Sequence, residues 1–188
     1  MKLYLKLGFI LLVVTVIATG ILAYVNSITA PQIEALKQEE AIKSRAELIP
    51  DSIFEEVEVS PDFSYFIARN KDTEEIQGYT FIASQRGYSD NVKTMAGVDP
   101  DFKLTGIKVV EQSETPGLGA NCTGPDFTKQ FQGKTMEDLM ADKDGGKIKS
   151  LSGATITTRA IASSLKQAIQ TLQQHVQQQA QTIQEDAQ

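Results

Sequence analysis

From Leu7 to Val25 the chain reads LGFILLVVTVIATGILAYV, an uncharged apolar run close to the roughly 20 residues needed to cross a hydrocarbon core. A cleaved secretory signal has a shorter apolar stretch, roughly 7–15 residues, that ends at a small-x-small site. Here the run ends at Ala23-Tyr24-Val25-Asn26, so a transmembrane anchor is predicted over residues 1–27. Lys2 and Lys6 precede the span, whereas Glu34, Glu39 and Glu40 follow it against Lys37 and Lys43. The positive-inside bias then predicts a cytoplasmic N-terminus and places residues 26–188 outside the cytoplasm. Tyr4 and Tyr24, near the two ends, suit interfacial aromatics.

The rest of the 188 residues leaves room for one domain of ordinary size. A formal net charge of -6 offers no basic face for a phosphate backbone, which argues against a nucleic acid partner. Cys122 is the only cysteine, so the chain alone can build no disulfide, haem attachment pair or iron–sulfur cluster. His175 is the only histidine, which argues against histidine-rich metal sites and a Ser-His-Asp triad. Redox chemistry in such a chain has to come from an organic cofactor. The default readings are inert packing for Cys122 and a solvated surface position for His175.

Thr29-Ala30-Pro31 reads as a helix entry, and good helix formers continue to Glu47 before Pro50, giving a stalk helix within 28–50. Its apolar stripe of Ile33, Leu36, Ala41 and Leu48 is thin. Strand signals follow at Phe54–Val59, Tyr65–Ala68, Ile76–Ser84, Val92–Val98 and Leu104–Val110, rich in β-branched and aromatic residues. Asp99-Pro100-Asp101 reads as a hairpin turn, and Lys143-Asp144-Gly145-Gly146 as a turn before a short strand at Lys147–Leu151. Ile161, Leu165, Ala168, Ile169, Leu172 and Val176 form the stripe of an amphipathic helix that should cover one sheet face. The glutamine-rich residues 177–188 are expected to fray.

Two segments could carry chemistry. Ser152-Gly153-Ala154-Thr155-Ile156-Thr157-Thr158 lies between strand and helix, where small residues permit close backbone approach and a helix start offers donors to phosphate. On composition alone an ordinary Ser/Thr helix cap is the default reading of the same residues. Glu114-Thr115-Pro116-Gly117-Leu118-Gly119 follows the fifth strand; Pro116-Gly117 can form the centre of a type II turn that brings backbone donors to a flat ligand, or only a turn. Neither segment matches a dinucleotide fingerprint or a phosphate-binding P-loop.

In this order and spacing, the two segments resemble the FMN-binding domain of the G subunit of the Rnf electron-transport complex, a family that shares both patterns with the C subunit of the sodium-translocating NADH:quinone reductase. Gly87-Tyr88-Ser89, Ala96-Gly97-Val98-Asp99, Phe131-Gln132-Gly133-Lys134 and Asp144–Thr157 also carry the resemblance.

The resemblance implies an α+β fold: one N-terminal transmembrane helix, then an extracytoplasmic FMN-binding domain over 51–176 with a mainly antiparallel sheet packed by helices. It implies FMN joined covalently to Thr155 by a phosphoester that a dedicated flavin transferase installs. Ser152, Gly153 and Ala154 would form the backbone wall, Thr157 a phosphate or cap donor, and Glu114, Thr115, Pro116, Gly117, Leu118 and Gly119 the edge of the flavin ring. The expected role is a redox subunit in an ion-translocating ferredoxin:NAD oxidoreductase, partnered by the other Rnf subunits in the cytoplasmic membrane and completing no reaction alone. The C-type quinone-reductase subunit and a non-redox membrane-anchored binding module are the alternatives. One departure is Lys149, where similar proteins commonly carry an acidic residue; it reads as a solvated strand lysine or as a cation near the phosphoester.

Overall fold

A computed structural model of the chain describes residues 2–61 and 63–186, except the side chains of residues 180 and 182–186. Its contacts divide it into two units, residues 1–42 and 43–188.

Within the first unit the described residues are all helical, as part of α1 (Lys2–Leu48), and its large apolar side chains are exposed. That suits lipid: α1 is long and apolar enough to cross a membrane. The separate stalk helix expected to start near Pro31 is instead a continuation of α1, with Pro31 in its interior. Proline's fixed φ is itself helical, so its local penalty centres on one missing N–H and a crowded carbonyl. Around it, the Ser27 and Thr29 hydroxyls donate back to the carbonyls of Tyr24 (2.7 Å) and Val25 (3.0 Å).

The second unit is built on a five-stranded antiparallel meander in sequence order: β1 (Ser52–Ser60), β2 (Phe63–Asn70), β3 (Ile76–Arg86), β4 (Asn91–Val98) and β5 (Leu104–Glu111). All five strands coincide with the sequence expectation, because tight turns separate runs of β-branched and aromatic residues. At the β4–β5 turn the Asp99 carboxylate accepts the backbone N–H groups of Asp101 and Lys103, both at 2.9 Å. Such an Asx arrangement holds the hairpin closed.

The two sheet faces are treated differently. On one, Tyr65, Phe81, Ala83, Ala96, Val98, Leu104 and Ile107 meet α3 (Thr155–Asp186) through Ile161, Leu165, Ile169 and Leu172. Those four helix side chains have no exposed surface, and each stabilises the fold by about 1.5–3 kcal/mol. On the other face Gly97 pairs with Gly106 across β4 and β5. A Cβ at Gly97 would stand 3.0 Å from the Leu48 Cβ, and one at Gly106 would stand 3.2 Å from Leu48 Cδ2. The paired glycines therefore make a flat notch that receives the end of α1, which is also held by Arg45 over the Phe66 ring and by Lys108 on Glu47.

The stretch between β5 and α3 is short turns of helix around α2 (Pro125–Thr128). Phe131-Gln132-Gly133-Lys134 closes on the sheet: the Gly133 N–H donates to the Leu104 carbonyl, and the Leu104 N–H donates to that of Lys134. The strand expected at Lys147–Leu151 is reduced to one bridge between Ala141 and Ile148, because no neighbouring strand edge extends beside it.

Two expectations at the C-terminal end give way. Rather than fraying at Gln177, α3 runs to Asp186, in keeping with the helix propensity of glutamine and alanine. His175 is half-buried rather than solvated: its Nδ1 lies 3.2 Å from the Tyr65 hydroxyl, and its ring meets Tyr65 edge-on.

Candidate functional site

Where α3 begins, the chain turns sharply at Gly153, whose φ of +71° is a left-handed value that favours glycine. The turn is closed by the Ala154 N–H on the Leu151 carbonyl. Thr158 locks it further, its hydroxyl accepting the Leu151 N–H at 3.1 Å and donating to the Ala154 carbonyl. Thr158 is thus spent on local structure. Ala154, which stands before the first helical residue, has no side-chain acceptor, so the free donors of the first turn receive no cap from it. Thr155, the first residue of α3, is half-exposed.

The loop after β5 has the turn expected of it. The Leu118 N–H donates to the Thr115 carbonyl and Gly117 has a φ of +78°, as the third residue of a type II turn requires. Asn121 ties the loop down through a 3.0 Å bond from its side-chain amide to the Gly117 carbonyl.

Glu114 joins this loop to α3. It is only 5% exposed, yet it is ionisable and faces three segments. Its Oε2 accepts the Thr157 hydroxyl at 2.6 Å, and its Oε1 accepts the Ser89 N–H at 3.0 Å. Burial alone would push the carboxyl up; the bonds from Thr157 and from the backbone N–H groups of Ser89, Asp90 and Tyr88 outweigh it and hold the group below the usual carboxylate range. The packing tolerates no extra atoms. A Cβ at Gly87 would stand 2.5 Å from Glu114 Oε1, and one at Gly119 2.6 Å from Oε2.

Together these segments enclose a cleft of about 530 Å³, lined by Tyr88, Glu114, Thr115, Leu118, Gly119, Gly153, Ala154, Thr155, Ile156 and Thr157. That size is in the range of small-molecule and cofactor sites. Its walls carry apolar side chains, Leu118, Ile156 and Tyr88; among the described residues Glu114 is its one carboxylate and no lysine or arginine lines it.

Eight of the eleven residues singled out from sequence thus come together on one surface. Pro116 and Gly117 lie on the exposed outer side of the turn, and exposed Ser152 lies outside the lining. Thr157 lines the cleft but is fully buried, its hydroxyl proton committed to Glu114. Sequence reasoning missed Tyr88 and Ile156 as lining residues. Tyr88 is 70% exposed, and the Gly87-Tyr88-Ser89 stretch that carries it was the available signal.

Lys149 is exposed and outside the cleft; its backbone N–H and carbonyl are both held by the Gln130 side-chain amide. The acidic Asp144, upstream in the same motif, takes a bidentate bond from Arg159, at 2.7 and 2.6 Å, pinning the Gly145-Gly146 turn to α3. Cys122 is fully buried, and burial first, then the Glu114 charge, pushes its thiol up to about 11. Among the described residues no cluster of His, Cys, Asp and Glu could hold a metal ion.

Residues 87–170 match the family description of an FMN-binding domain, a span that contains every cleft residue, and residues 2–48 match that of an RnfG N-terminal region. The G subunit of the ion-translocating oxidoreductase complex of Methanosarcina acetivorans is 32% identical over 167 residues, covering 85% of this chain and 89% of the relative. The chain belongs to this family of Rnf G subunits. The G subunit of the Na(+)-translocating ferredoxin:NAD(+) oxidoreductase complex of Acetobacterium woodii is 31% identical over 193 residues, covering 92% and 93%. Among solved structures, the C subunit of the Na(+)-translocating NADH-quinone reductase from Parabacteroides distasonis is similar at a TM-score of 0.48 and 24% identity, over 57% of this chain and 59% of that one. These two Rnf G relatives cover 85% and 92% of this chain, and the N-terminal family match spans the apolar helix.

The cleft fits FMN. Apolar walls suit a flat ring, and the half-exposed Thr155 lines the cleft at the start of α3.

Proposed function

We propose that this Rnf G protein is a membrane-anchored electron carrier whose FMN is joined through its phosphate to Thr155, and that it serves an ion-translocating ferredoxin:NAD oxidoreductase complex. FMN supplies the electron chemistry when bound; the protein supplies position and electrostatics.

The observation that carries the covalent reading is the charge of the cleft. A reversible phosphate site commonly adds cations to free helix donors; here the first turn of α3 offers donors, but among the described residues no lysine or arginine lines the cleft, and the ionised Glu114 lies near the helix start. A phosphate held by contacts alone would be repelled by that carboxylate. A bond from Thr155 Oγ1 to phosphorus, formed as the phosphoanhydride bond of a flavin dinucleotide breaks and its nucleoside monophosphate leaves with the hydroxyl proton, would keep the cofactor regardless. Leu118, Ile156 and Tyr88 then wall the ring and keep water from part of it, while Gly153 lets the chain turn tightly beside it. Holding the cofactor on an anchored protein raises its effective concentration at the neighbouring subunits.

Lys2 and Lys6 before the span support a cytoplasmic N-terminus, which puts the cleft on the extracytoplasmic face, where a flavin transferase would load it.

The full chain, produced together with a flavin transferase, should run on a denaturing gel as a fluorescent band, and the peptide containing Thr155 should carry the mass of FMN. Thr155→Ala should abolish both. A dark wild-type band, or fluorescence that survives in Thr155→Ala, would reject the assignment.

A further inference from the structure

We infer that Glu114 is the buried charge that sets the reduction potential of the flavin in this cleft, holding it lower than a neutral residue would. The inference rests on FMN occupying the cleft as proposed above.

Glu114 is the cleft's only carboxylate, and it is nearly shielded from solvent. Its ionised form is favoured by construction: the Thr157 hydroxyl and the Ser89 N–H donate to its two oxygens, and neither can serve the protonated acid as well. No lysine or arginine lines the cleft to cancel it. The start of α3 offsets only part of the charge, since a helix terminus carries roughly half a unit. The packing also keeps the carboxylate from swinging away, because Gly87 and Gly119 bring backbone within what would be Cβ contact of its two oxygens.

Each electron that enters a ring system brings one negative charge, neutralised only where a proton follows from solvent. A fixed carboxylate nearby opposes that charge, and low local dielectric enlarges the opposition. Reduction becomes less favourable, so electrons leave the flavin more readily than they would from a neutral cleft. Glu114 on this reading is an electrostatic positioning residue. It exchanges no proton with the ring.

The test is a spectroelectrochemical titration of the flavin-loaded full chain in detergent, with chemical reductant and mediators, comparing wild type with Glu114→Gln and Glu114→Asp. Glu114→Gln should favour reduction by about tenfold per electron, which is about 59 mV. Glu114→Asp, which keeps the charge, should remain near wild type. A merely structural role would instead move Glu114→Asp along with Glu114→Gln, and that result would overturn the inference. Equal potentials in wild type and Glu114→Gln would overturn it as well. Should Glu114→Gln fail to fold, Thr115→Lys, at an exposed position on the same cleft, should raise the potential by setting an ammonium against the carboxylate; an unchanged potential there counts against the inference. Failure of the wild type to take up flavin would defeat the proposed function, a separate outcome visible before any titration.

Discussion

The Thr157 hydroxyl donates a 2.6 Å hydrogen bond to Glu114 Oε2, joining the first turn of α3 to a loop 43 residues earlier in the chain. Both residues are buried, so the bond is shielded from water and links the two motif segments directly.

Thr157→Val removes the donor without changing side-chain volume much. Hydrogen bonds to charged groups contribute about 1.5–3 kcal/mol, so the variant should lose stability in that range. Guanidinium unfolding of the detergent-solubilised chain, followed by near-UV circular dichroism, measures it; a loss below about 0.5 kcal/mol would show that the bond contributes little.

Two glycines in the loop separate steric from backbone effects. At Gly119 a Cβ would stand 2.6 Å from Glu114 Oε2 and 2.8 Å from Thr157 Oγ1, so Gly119→Ala must displace the carboxylate. It should cost about 1–3 kcal/mol and cut flavin loading sharply. At Gly117 nothing lies within 4 Å, and only the φ of +78° opposes a side chain. Gly117→Ala should cost roughly 1–2 kcal/mol and load flavin normally. In-gel flavin fluorescence per unit of folded protein distinguishes the two.

Acid should weaken the fold through Glu114. Its carboxyl titrates lower in the folded chain than in the unfolded one, so its stabilisation is fully present above the unfolded value of about 4.3 and is lost as pH falls from there through the folded value. Asp138, Asp142 and Asp144, held low chiefly by bonds from Lys147, Ser150 and Arg159, act in the same direction. Thermal midpoints measured between about pH 3 and pH 7 should drop at the acid end, and Glu114→Gln should drop less steeply than wild type. Parallel curves would contradict this role.

Cys122 should be inert. Its buried thiol is pushed up to about 11, so little thiolate exists at neutral pH and reagent has no access. Maleimide should label the native chain slowly and the denatured chain at once; rapid native labelling would contradict the burial.

The strands of the sheet and the stripe of α3 were legible because alternation and helical periodicity are local patterns, each set by the side chains of one element. The Pro116-Gly117 turn was legible for a similar reason, since φ preferences belong to single residues. The extent of helices was not. Pro31 marked a helix entry by local rule and lies inside α1, and Gln177 marked an end that α3 passes. His175 read as solvated because its neighbours in sequence are glutamines, while its actual neighbour is Tyr65, 110 residues away.

The sequence by itself determined that there is one apolar span, five strand segments, and two motif segments able to approach a phosphate and a flat ring. Only tertiary structure decided what Glu114 does. Its type and position allowed a flavin contact or a loop bond equally. The fold surrounds it with Thr157, Ser89, Gly87 and Gly119, brought from distant parts of the chain, and so makes it a buried carboxylate that stays charged. A carboxylate's charge state depends on solvent access and on donors that converge in space, and neither quantity exists until the chain has folded.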